Sequence, residues 1–392
     1  MKKPLLTLFQ RHGYLFYTLS VAASPVAAGS LAFERSDLDR DSARYQLKSG
    51  FECSTQEQSD GYPLMAQKYD AKILVAATPY VNESGAVSLD LSGSGLTTVD
   101  SIKDLKNLQT LNLSDCRSLT SIEGLKDLKN LETLDLSDCT WLISVEDLKD
   151  LKNLKTLYLT RCGRLSTVDG LKDLRNLQAL DLTACDSLTS VEGLKNLNDL
   201  KTLNLSFCHS LKSVESLKDL KNLQTLDLSE CIGLISVEGL KDLDNLQTLD
   251  LFACLGLTSI EGLKDLKNLQ MLNLSGCTWL TKIEGFNGLK NLRTLDLAGC
   301  GNLTTIDDLK ELKNLRTLDL SRCASLTSVE GLRGLKNLRT LDLSGCDNLT
   351  SVEGLEKLQS LRILYVSQCK QLPAEAIEKL RRELPRAQIF YP

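Results

Sequence analysis

LKNLQTLNLSDCRSLTSIEGLKD, residues 105–127, is the stretch of this 392-residue chain that decides its fold. Its next copy begins 23 residues later, and further copies follow as far as Gln371. A fixed period of this length is typical of a solenoid, in which each repeat stacks on its neighbours. Cysteines at intervals of 23 positions show the period most clearly: Cys116, Cys139, Cys162, Cys185, Cys208, Cys231, Cys254, Cys277, Cys300, Cys323, Cys346 and Cys369.

Each repeat contains one short strand signal. Leu111 and Leu113 alternate with the polar residues Thr110, Asn112 and Ser114, and a period of two predicts a half-buried strand. Since every copy runs in the same direction and supplies one strand, the copies are expected to stack as a parallel sheet.

The return segment of each repeat predicts a single tight turn. Ser121 is placed to cap it, Glu123 follows where the N-terminal dipole favours an acid, and Leu125 and Leu128 share one face. Gly124 recurs in most copies, and glycine is a poor residue inside a long helix. We therefore expect one turn of α or 3₁₀ type on the convex side.

The pattern L-x-x-L-x-L followed by cysteine resembles the leucine-rich repeat family over roughly residues 87–371. The spacing is similar to the short bacterial repeats of internalin-type proteins, and LDLSGC at 341–346 also resembles repeats of plant disease-resistance receptors. The resemblance implies an α/β solenoid, a horseshoe with a concave parallel sheet and short turns on its convex side. It also implies binding rather than catalysis.

Composition excludes several functional classes. A net charge of −5 does not suggest a nucleic-acid partner, and two histidines leave little for acid–base catalysis. The cysteine row predicts buried thiols that fill the core and donate weakly to carbonyls. A straight row does not converge on zinc, and parallel side chains suit disulfides poorly. We expect no metal, cofactor or catalytic residue.

The N-terminus predicts export. Residues 1–28 combine Lys2, Lys3 and Arg11 with an apolar run and small residues near Ala28, as in a cleavable signal peptide. The run is too short to span a membrane. A flexible segment for type III-like secretion is the alternative. The expected location is therefore secreted, periplasmic or cell-surface, or else inside a host cell after injection.

The remaining segments are assigned by composition. Residues 29–61 are polar and predict a linker that contains Cys53, and residues 62–91 predict an N-terminal cap and a first, atypical repeat with Ser94 near the cysteine position. Residues 92–371 are the repeats. Residues 372–392 predict a C-terminal cap with a helix and a short strand.

Three polar columns are expected on the exposed strand face. The first is mostly threonine, the second mostly aspartate and the third mainly serine. Such a ladder could bind a glycan or a cationic partner, whereas the alternative is a solvated face copied by duplication.

Departures from the repeat are the candidate site, because a specific site must break the symmetry. Aromatic residues and arginine anchor interfaces, and Trp141 and Trp279 share one loop column as candidates for loop packing. The candidate ligand-binding residues of the concave face are Tyr158, Arg161, Arg164, Phe207, His209 and Phe252, with Asp181, Asp227 and Asp250 from the aspartate column.

A second asymmetry lies before the threonine column. Glutamine in copies such as Gln224, Gln247 and Gln270 gives way to arginine in the last four copies. Local ion pairing with the aspartate column is the expected role, and a patch for an anionic partner is the alternative.

The predicted function is a non-enzymatic binding module, monomeric and exported by a bacterium, whose concave face binds a protein or a glycan. The alternatives are a structural envelope scaffold and a host-directed effector that acts by protein binding. An enzyme centred on residues 29–86 would need Cys53 as its nucleophile, and no supporting motif accompanies that cysteine.

Overall fold

The computed structural model describes residues 7–11, 14–18, 80–81 and 87–391. The chain forms two compact units, Met1–Glu52 and Cys53–Pro392. In the first, strands β1 (Thr7–Arg11) and β2 (Tyr14–Thr18) pair antiparallel. The rest of the predicted signal segment, the linker with Cys53 and most of the predicted N-terminal cap lie outside the described residues.

The second unit is built on one long sheet. Strand β3 (Tyr80–Val81) pairs antiparallel with β4 (Val87–Asp90), and every later described strand pairs parallel with the one before it. Those strands are β5 (Thr110–Asn112), β6 (Thr133–Asp135), β7 (Thr156–Tyr158), β8 (Ala179–Asp181), β9 (Thr202–Asn204), β10 (Thr225–Asp227), β11 (Thr248–Asp250), β12 (Met271–Asn273), β13 (Thr294–Asp296), β14 (Thr317–Asp319), β15 (Thr340–Asp342), β16 (Ile363–Tyr365) and β17 (Gln388–Phe390).

Register follows directly from the 23-residue period. The leucine at the centre of each strand pairs with its equivalent in the next repeat, as Leu226 does with Leu249. Leu111, Leu113 and Cys116 are fully buried, while the alternating strand residues face outward. The structure thus confirms the predicted solenoid with its open parallel sheet.

Short 3₁₀ turns return the chain on the opposite side, as predicted. In most copies the serine before the turn accepts a hydrogen bond from a backbone N–H, for example Ser190 Oγ from Glu192 at 3.2 Å. The turns are Asp100–Ile102, Glu123–Asp127, Glu146–Leu148, Asp169–Leu171, Glu192–Leu194, Glu215–Leu217, Glu238–Leu240, Glu261–Leu263, Phe286–Gly288, Asp307–Glu311, Glu330–Leu332 and Leu355–Lys357.

The recurrent turn glycine has a packing role that its helix propensity did not indicate. A Cβ on Gly193 would lie 2.1 Å from the Val168 carbonyl oxygen of the preceding repeat. At Gly331 the corresponding distance to the Ile306 oxygen is 2.3 Å. Adjacent turns therefore approach so closely that a side chain at these two positions would force them apart.

The cysteine ladder consists of buried, free thiols, as predicted. Each Sγ donates to the carbonyl oxygen 25 or 26 residues earlier, as Cys208 does to Leu182 at 3.2 Å. Burial raises the pKa of the Cys208 thiol to about 12. In the first repeat Ser94 replaces the cysteine, and its Oγ lies 3.2 Å from Cys116 Sγ.

A second ladder supports the turns. The Asn153 side chain donates to the Lys129 carbonyl oxygen at 2.9 Å, and most other copies make the equivalent bond. Such bonds satisfy carbonyls that the short turns leave unpaired.

Helix α1 (Ala374–Glu383) and strand β17 follow the last repeat. Ile377 and Leu380 of the helix are buried, so its apolar face covers the core of the terminal repeat. Phe390 of β17 stacks on Tyr365 of β16 with ring centroids 4.8 Å apart.

Candidate functional site

The aspartate column of the sheet has a structural role that its sequence pattern did not reveal. Asp227 Oδ1 accepts the backbone N–H of Ser229 at 2.8 Å, an Asx turn that directs the chain out of the strand. The same bond, 2.8 to 2.9 Å long, is made by Asp90, Asn112, Asp135, Asp181, Asn204, Asp250, Asn273, Asp296, Asp319 and Asp342.

These carboxylates are less exposed than a solvated face would make them. Asp181 is only 4% exposed and also accepts from the Thr183 hydroxyl at 2.6 Å. Burial raises the pKa of Asp227, and burial together with Asp227 raises that of Asp250 to about 6. The aspartate column is therefore partly buried and takes part in the turns that end the strands.

The residue before each cysteine of the ladder adopts a left-handed conformation. Three copies place glycine there, the residue that adopts positive φ most readily. Arg161 and Phe207 occupy this position with φ of 57° and 59°. Their side chains are exposed at the end of the turn that the Asx bond begins. The remaining non-glycine residues at this position are Asp115, Asp138, Ala184, Glu230, Ala253, Arg322 and Gln368.

Two candidate arginines lie together with a tryptophan. The Arg164 guanidinium carbon is 4.2 Å from the Trp141 ring centroid, a cation–π contact between adjacent repeats. Arg161 Nη1 is 3.3 Å from Asp138 Oδ2. All three side chains line an open depression of about 560 Å³ that Asp186 also borders.

The next repeat along extends this group. His209 Nδ1 lies 2.7 Å from Asp186 Oδ1, and the His209 ring makes an edge contact with Phe207 at 6.3 Å between centroids. Phe207 remains 41% exposed. Four predicted residues, Arg161, Arg164, Phe207 and His209, are thus brought into one row beyond the carboxyl ends of the strands.

The other predicted residues lie on the sheet itself. Tyr158 is half-buried and pairs in register with Asp135 and Asp181 on either side. Burial raises the pKa of its phenol. Phe252 is half-buried, and its backbone N–H completes the Asx turn of Asp250.

Further exposed apolar residues follow the cysteines of neighbouring repeats. The loops stack closely, since a Cβ on Gly256 would lie 2.9 Å from the Ile232 carbonyl oxygen. We call the whole row the loop edge: Trp141, Ile143, Arg161, Arg164, Asp186, Phe207, His209, Ile232, Ile235, Leu255 and Trp279, of which the large apolar members are 41 to 65% exposed.

Sequence reasoning missed five of these residues, namely Asp186 and the apolar residues Ile143, Ile232, Ile235 and Leu255. A signal was available, because the position of Ile143 and Ile235 holds threonine in most other copies, and the position of Ile232 and Leu255 holds a small or polar residue in every other copy. Trp141, a candidate for loop packing, is 52% exposed and packs on Arg164.

The expected ion pairing of the arginine stripe is wrong. Within residues 87–391, Arg293, Arg316 and Arg339 form no ion pair, and Arg362 donates to backbone carbonyls of Ser360 and Leu361 at 3.1 Å. The stripe lies at the amino ends of the strands, and its long side chains are exposed rather than folded towards the aspartates.

The described part of the chain lacks two features. It contains no group of three or more histidine, cysteine or acidic side chains that could hold a metal ion. None of its helices is both long and apolar enough to cross a membrane.

Comparison with known proteins identifies the repeats. A family model described as "Leucine Rich repeats (2 copies)" matches residues 129–173, 244–288, 267–311, 290–334, 313–356 and 336–382. Comparison with curated protein sequences gives no match.

One solved structure shows the same architecture, and two others have lower structural similarity. An internalin (inlF) of Listeria monocytogenes is 19% identical, with a TM-score of 0.60 over 83% of this chain and 93% of that chain. A leucine-rich repeat protein of Leptospira interrogans is 21% identical, with a TM-score of 0.46 over 80% and 99%. Internalin C2 of Listeria monocytogenes is 28% identical, with a TM-score of 0.40 over 55% and 81%. The matched residues are leucine-rich repeats, and the chain has the fold of a leucine-rich repeat solenoid with short, internalin-like repeats of 23 residues and a cysteine ladder.

Proposed function

We propose that the chain is a protein-binding module whose contact surface is the loop edge. The leucine-rich repeat fold is typically a non-enzymatic scaffold for protein interaction. Within residues 87–391, the large exposed apolar loop residues are confined to the repeats of Cys139 to Cys277, and this observation carries the proposal.

The same loops in the last repeats are small or polar, with Gly301-Asn302, Ala324-Ser325 and Asp347-Asn348 after the cysteines. Seven repeats at the strand spacing of about 4.8 Å give the loop edge a length of about 29 Å. That length suits a standard protein interface, which buries about 800 Å² on each partner.

The chemistry of the loop edge is that of interface anchors. Trp, Phe and Arg carry much of the binding free energy in protein interfaces when water is excluded around them. Phe207 and Arg161 hold left-handed backbone that glycine adopts at lower cost. Their retention as large, exposed side chains supports a role in contact with a partner.

A glycan on the aspartate column is a weaker candidate. One oxygen of each Asx-turn carboxylate already accepts a backbone N–H, and the column is partly buried. Fewer acceptor sites are therefore presented to sugar hydroxyls than the sequence pattern suggests.

Peptide selection tests the proposal. A phage-displayed library of random peptides is selected on the wild-type protein, and enriched peptides are titrated against Phe207→Gly and Arg161→Gly. We expect both variants to bind at least about tenfold more weakly, which corresponds to about 1.4 kcal/mol or more. Peptides that bind both variants with wild-type affinity would refute the loop edge as the contact surface.

Matched controls come from the same left-handed column. Glu230→Gly and Arg322→Gly make the same backbone change, the second outside the loop edge. We expect both controls to keep wild-type affinity, so that loss in the test variants reports the deleted side chain.

Export of this module from a bacterial cell is part of the proposal and is supported by the composition of residues 1–28. The intact mass of the protein from its native host tests it. A mature chain that begins near Gly29, found in the periplasm or medium, is the expected result. A full-length mass in the cytosol would contradict export by a cleaved signal.

A further inference from the structure

Four arginines occupy one position at the amino ends of the last four repeat strands. The backbone N–H of Arg316 donates to the Arg293 carbonyl oxygen at 2.8 Å, and Arg339 and Arg362 continue the series at the same distance. The four residues are therefore in register and lie about one strand spacing, about 4.8 Å, from one another. All four are exposed.

Lysines reinforce this row. Lys290, Lys313 and Lys336 lie three residues before three of the arginines, and Lys357 lies five residues before the fourth. All four lysines are exposed. We call the eight cations the basic edge: Lys290, Arg293, Lys313, Arg316, Lys336, Arg339, Lys357 and Arg362.

The basic edge differs in charge from the same surface of the earlier repeats. It occupies the positions 12, 10 and 7 residues before each cysteine. In the last four repeats these positions hold eight cations and one acid, Glu311. In the eight repeats from Cys116 to Cys277 they hold eight cations and nine acids. The positive charge is therefore concentrated at one end of the solenoid.

Half of the earlier cations, Lys129, Lys152, Lys155 and Lys221, are also neutralised locally by ion pairs. Lys155 Nζ lies 2.7 Å from Glu132, and Lys129 Nζ lies 3.6 Å from Asp150 of the next repeat. Among residues 87–391, no member of the basic edge forms an ion pair; Lys313 donates to the Lys310 carbonyl. Like charges stacked on neighbouring strands repel one another, so the row is costly without an anion.

Close packing explains why an acidic residue is lost from one position of the basic edge, but it does not explain why arginine replaces glutamine at another. A Cβ on Gly288 would lie 1.6 Å from the Lys264 carbonyl oxygen, so the close packing there accounts for a glycine where other copies have aspartate. The arginines, in contrast, are exposed, and glutamine fills their position in copies such as Gln247 and Gln270. The fold therefore accepts a neutral side chain where arginine stands.

We infer that the basic edge binds an extended acidic segment of a partner protein. The four arginines span about 14 Å, which matches four to five residues of extended chain at about 3.3 Å each. Guanidinium groups bind carboxylates through paired, charge-assisted hydrogen bonds. Aspartate and glutamate side chains on such a segment would neutralise the row that the protein leaves unpaired.

The residues of the basic edge suit nucleic acid less well than they suit an acidic protein segment. Single-strand binding combines cations with aromatic side chains on which bases stack, and the three positions hold no aromatic residue in the last four repeats. The net charge of −5 would also repel a long polyanion that extends past the basic edge.

A labelled hexaglutamate peptide tests the inference by fluorescence polarisation at low and at physiological salt. The test variant carries Arg293→Gln, Arg316→Gln, Arg339→Gln and Arg362→Gln, the residue that other repeats have at this position. The matched control carries Lys155→Gln and Lys201→Gln in the earlier repeats. We expect binding by the wild type and the control, and an affinity about tenfold lower for the test variant. Salt should weaken wild-type binding, because exposed charges are screened.

Three outcomes would overturn the inference. Equal affinity of the wild type and the test variant would remove the arginines from the site, and so would equal loss in the control. An oligothymidylate of the same charge that binds more tightly than the peptide would replace the acidic protein segment with nucleic acid. The loop-edge variant Phe207→Gly should bind hexaglutamate as the wild type does. The binding proposals for the loop edge and for the basic edge are therefore tested independently.

Discussion

The repeats of Cys139 to Cys277 and those of Cys300 to Cys369 share one core and present different surfaces. In both regions the strand leucines are almost completely buried, and the cysteine thiols donate to carbonyls at 3.1 to 3.3 Å. The first region exposes aromatic and aliphatic residues in the loops after its cysteines. The second has small or polar loops there and an unpaired row of cations at the opposite ends of its strands.

This difference separates what the fold requires from what it tolerates. Positions that repeat have structural reasons: the Asx-turn acid, the buried cysteine and the glycine of close turn packing. Positions that change between the two regions are exposed and can vary without loss of the core. Binding residues are therefore expected where a copy departs from the repeat. If the core packs equally well in both regions, equivalent substitutions should change stability equally in both.

The largest effect is expected at the turn glycines, one in each region. Gly193→Ala and Gly331→Ala would place a Cβ 2.1 and 2.3 Å from a carbonyl oxygen. Because backbone must shift in both cases, we expect each to lower the free energy of unfolding by about 2–4 kcal/mol. Guanidinium denaturation followed by circular dichroism measures the loss.

Two glycines supply controls for that comparison. Gly163 and Gly301 lie in the loops of the two regions, and a Cβ on either would meet no atom within 4 Å. Alanine at these sites should change stability by less than about 0.5 kcal/mol. A loss confined to one of the two turn glycines would show that the cores are not equivalent.

A smaller effect is expected from the aspartate column, and it should be larger in the second region. Burial and the neighbouring Asp319 raise the pKa of Asp296 to about 7, against about 6 for Asp250 in the first region. Because folding disfavours the carboxylate form, stability is highest below the unfolded pKa near 4 and falls as pH rises through about 7.

Asparagine removes this charge and keeps the turn, since Asn273 already makes the same Asx bond to Ser275 at 2.9 Å. We expect Asp296→Asn to raise the free energy of unfolding at pH 8 by about 1–3 kcal/mol and to have little effect at pH 4. Asp250→Asn should show a smaller gain. Denaturation curves at both pH values measure these differences, and a gain at pH 4 equal to that at pH 8 would rule out the electrostatic cause.

The smallest effect is expected when arginine is exchanged for glycine in the left-handed column. Arg161→Gly and Arg322→Gly both relieve the strain of positive φ, which favours the folded state. Both also add conformational freedom to the unfolded chain, which favours the unfolded state, so the two contributions offset. Stability should change by less than about 1 kcal/mol in each. A large loss in Arg161→Gly alone would assign its side chain a structural role through Asp138 instead of a binding role.

The architecture could be predicted from sequence because it depends on periodic burial. The alternation around Leu111 and Leu113 fixes the strand face, and the interval between cysteines fixes the stacking. The serine that accepts a turn N–H and the buried thiol follow from local chemistry that each copy repeats. These interactions are set within one repeat or between identical neighbours.

The candidate site was only partly predictable because it depends on distances between unlike residues. Sequence placed Arg161, Arg164, Phe207 and His209 among the candidates but not in one row beyond the strand ends. The Asx role of Asp227 was missed, although aspartate or asparagine two residues before a turn is its signal. The direction of long side chains such as Arg293 does not follow from periodicity, and the predicted ion pairs were wrong for that reason.

Hydrogen–deuterium exchange of the wild-type protein with and without a selected peptide shows directly whether the loop edge is the contact surface. We expect the peptide to protect the loops at 138–144, 161–166, 184–189 and 207–212. Loops at 299–304 and 345–350 in the second region should exchange at unchanged rates. Protection confined to the second region, or to the sheet without these loops, would contradict the loop edge as the binding surface.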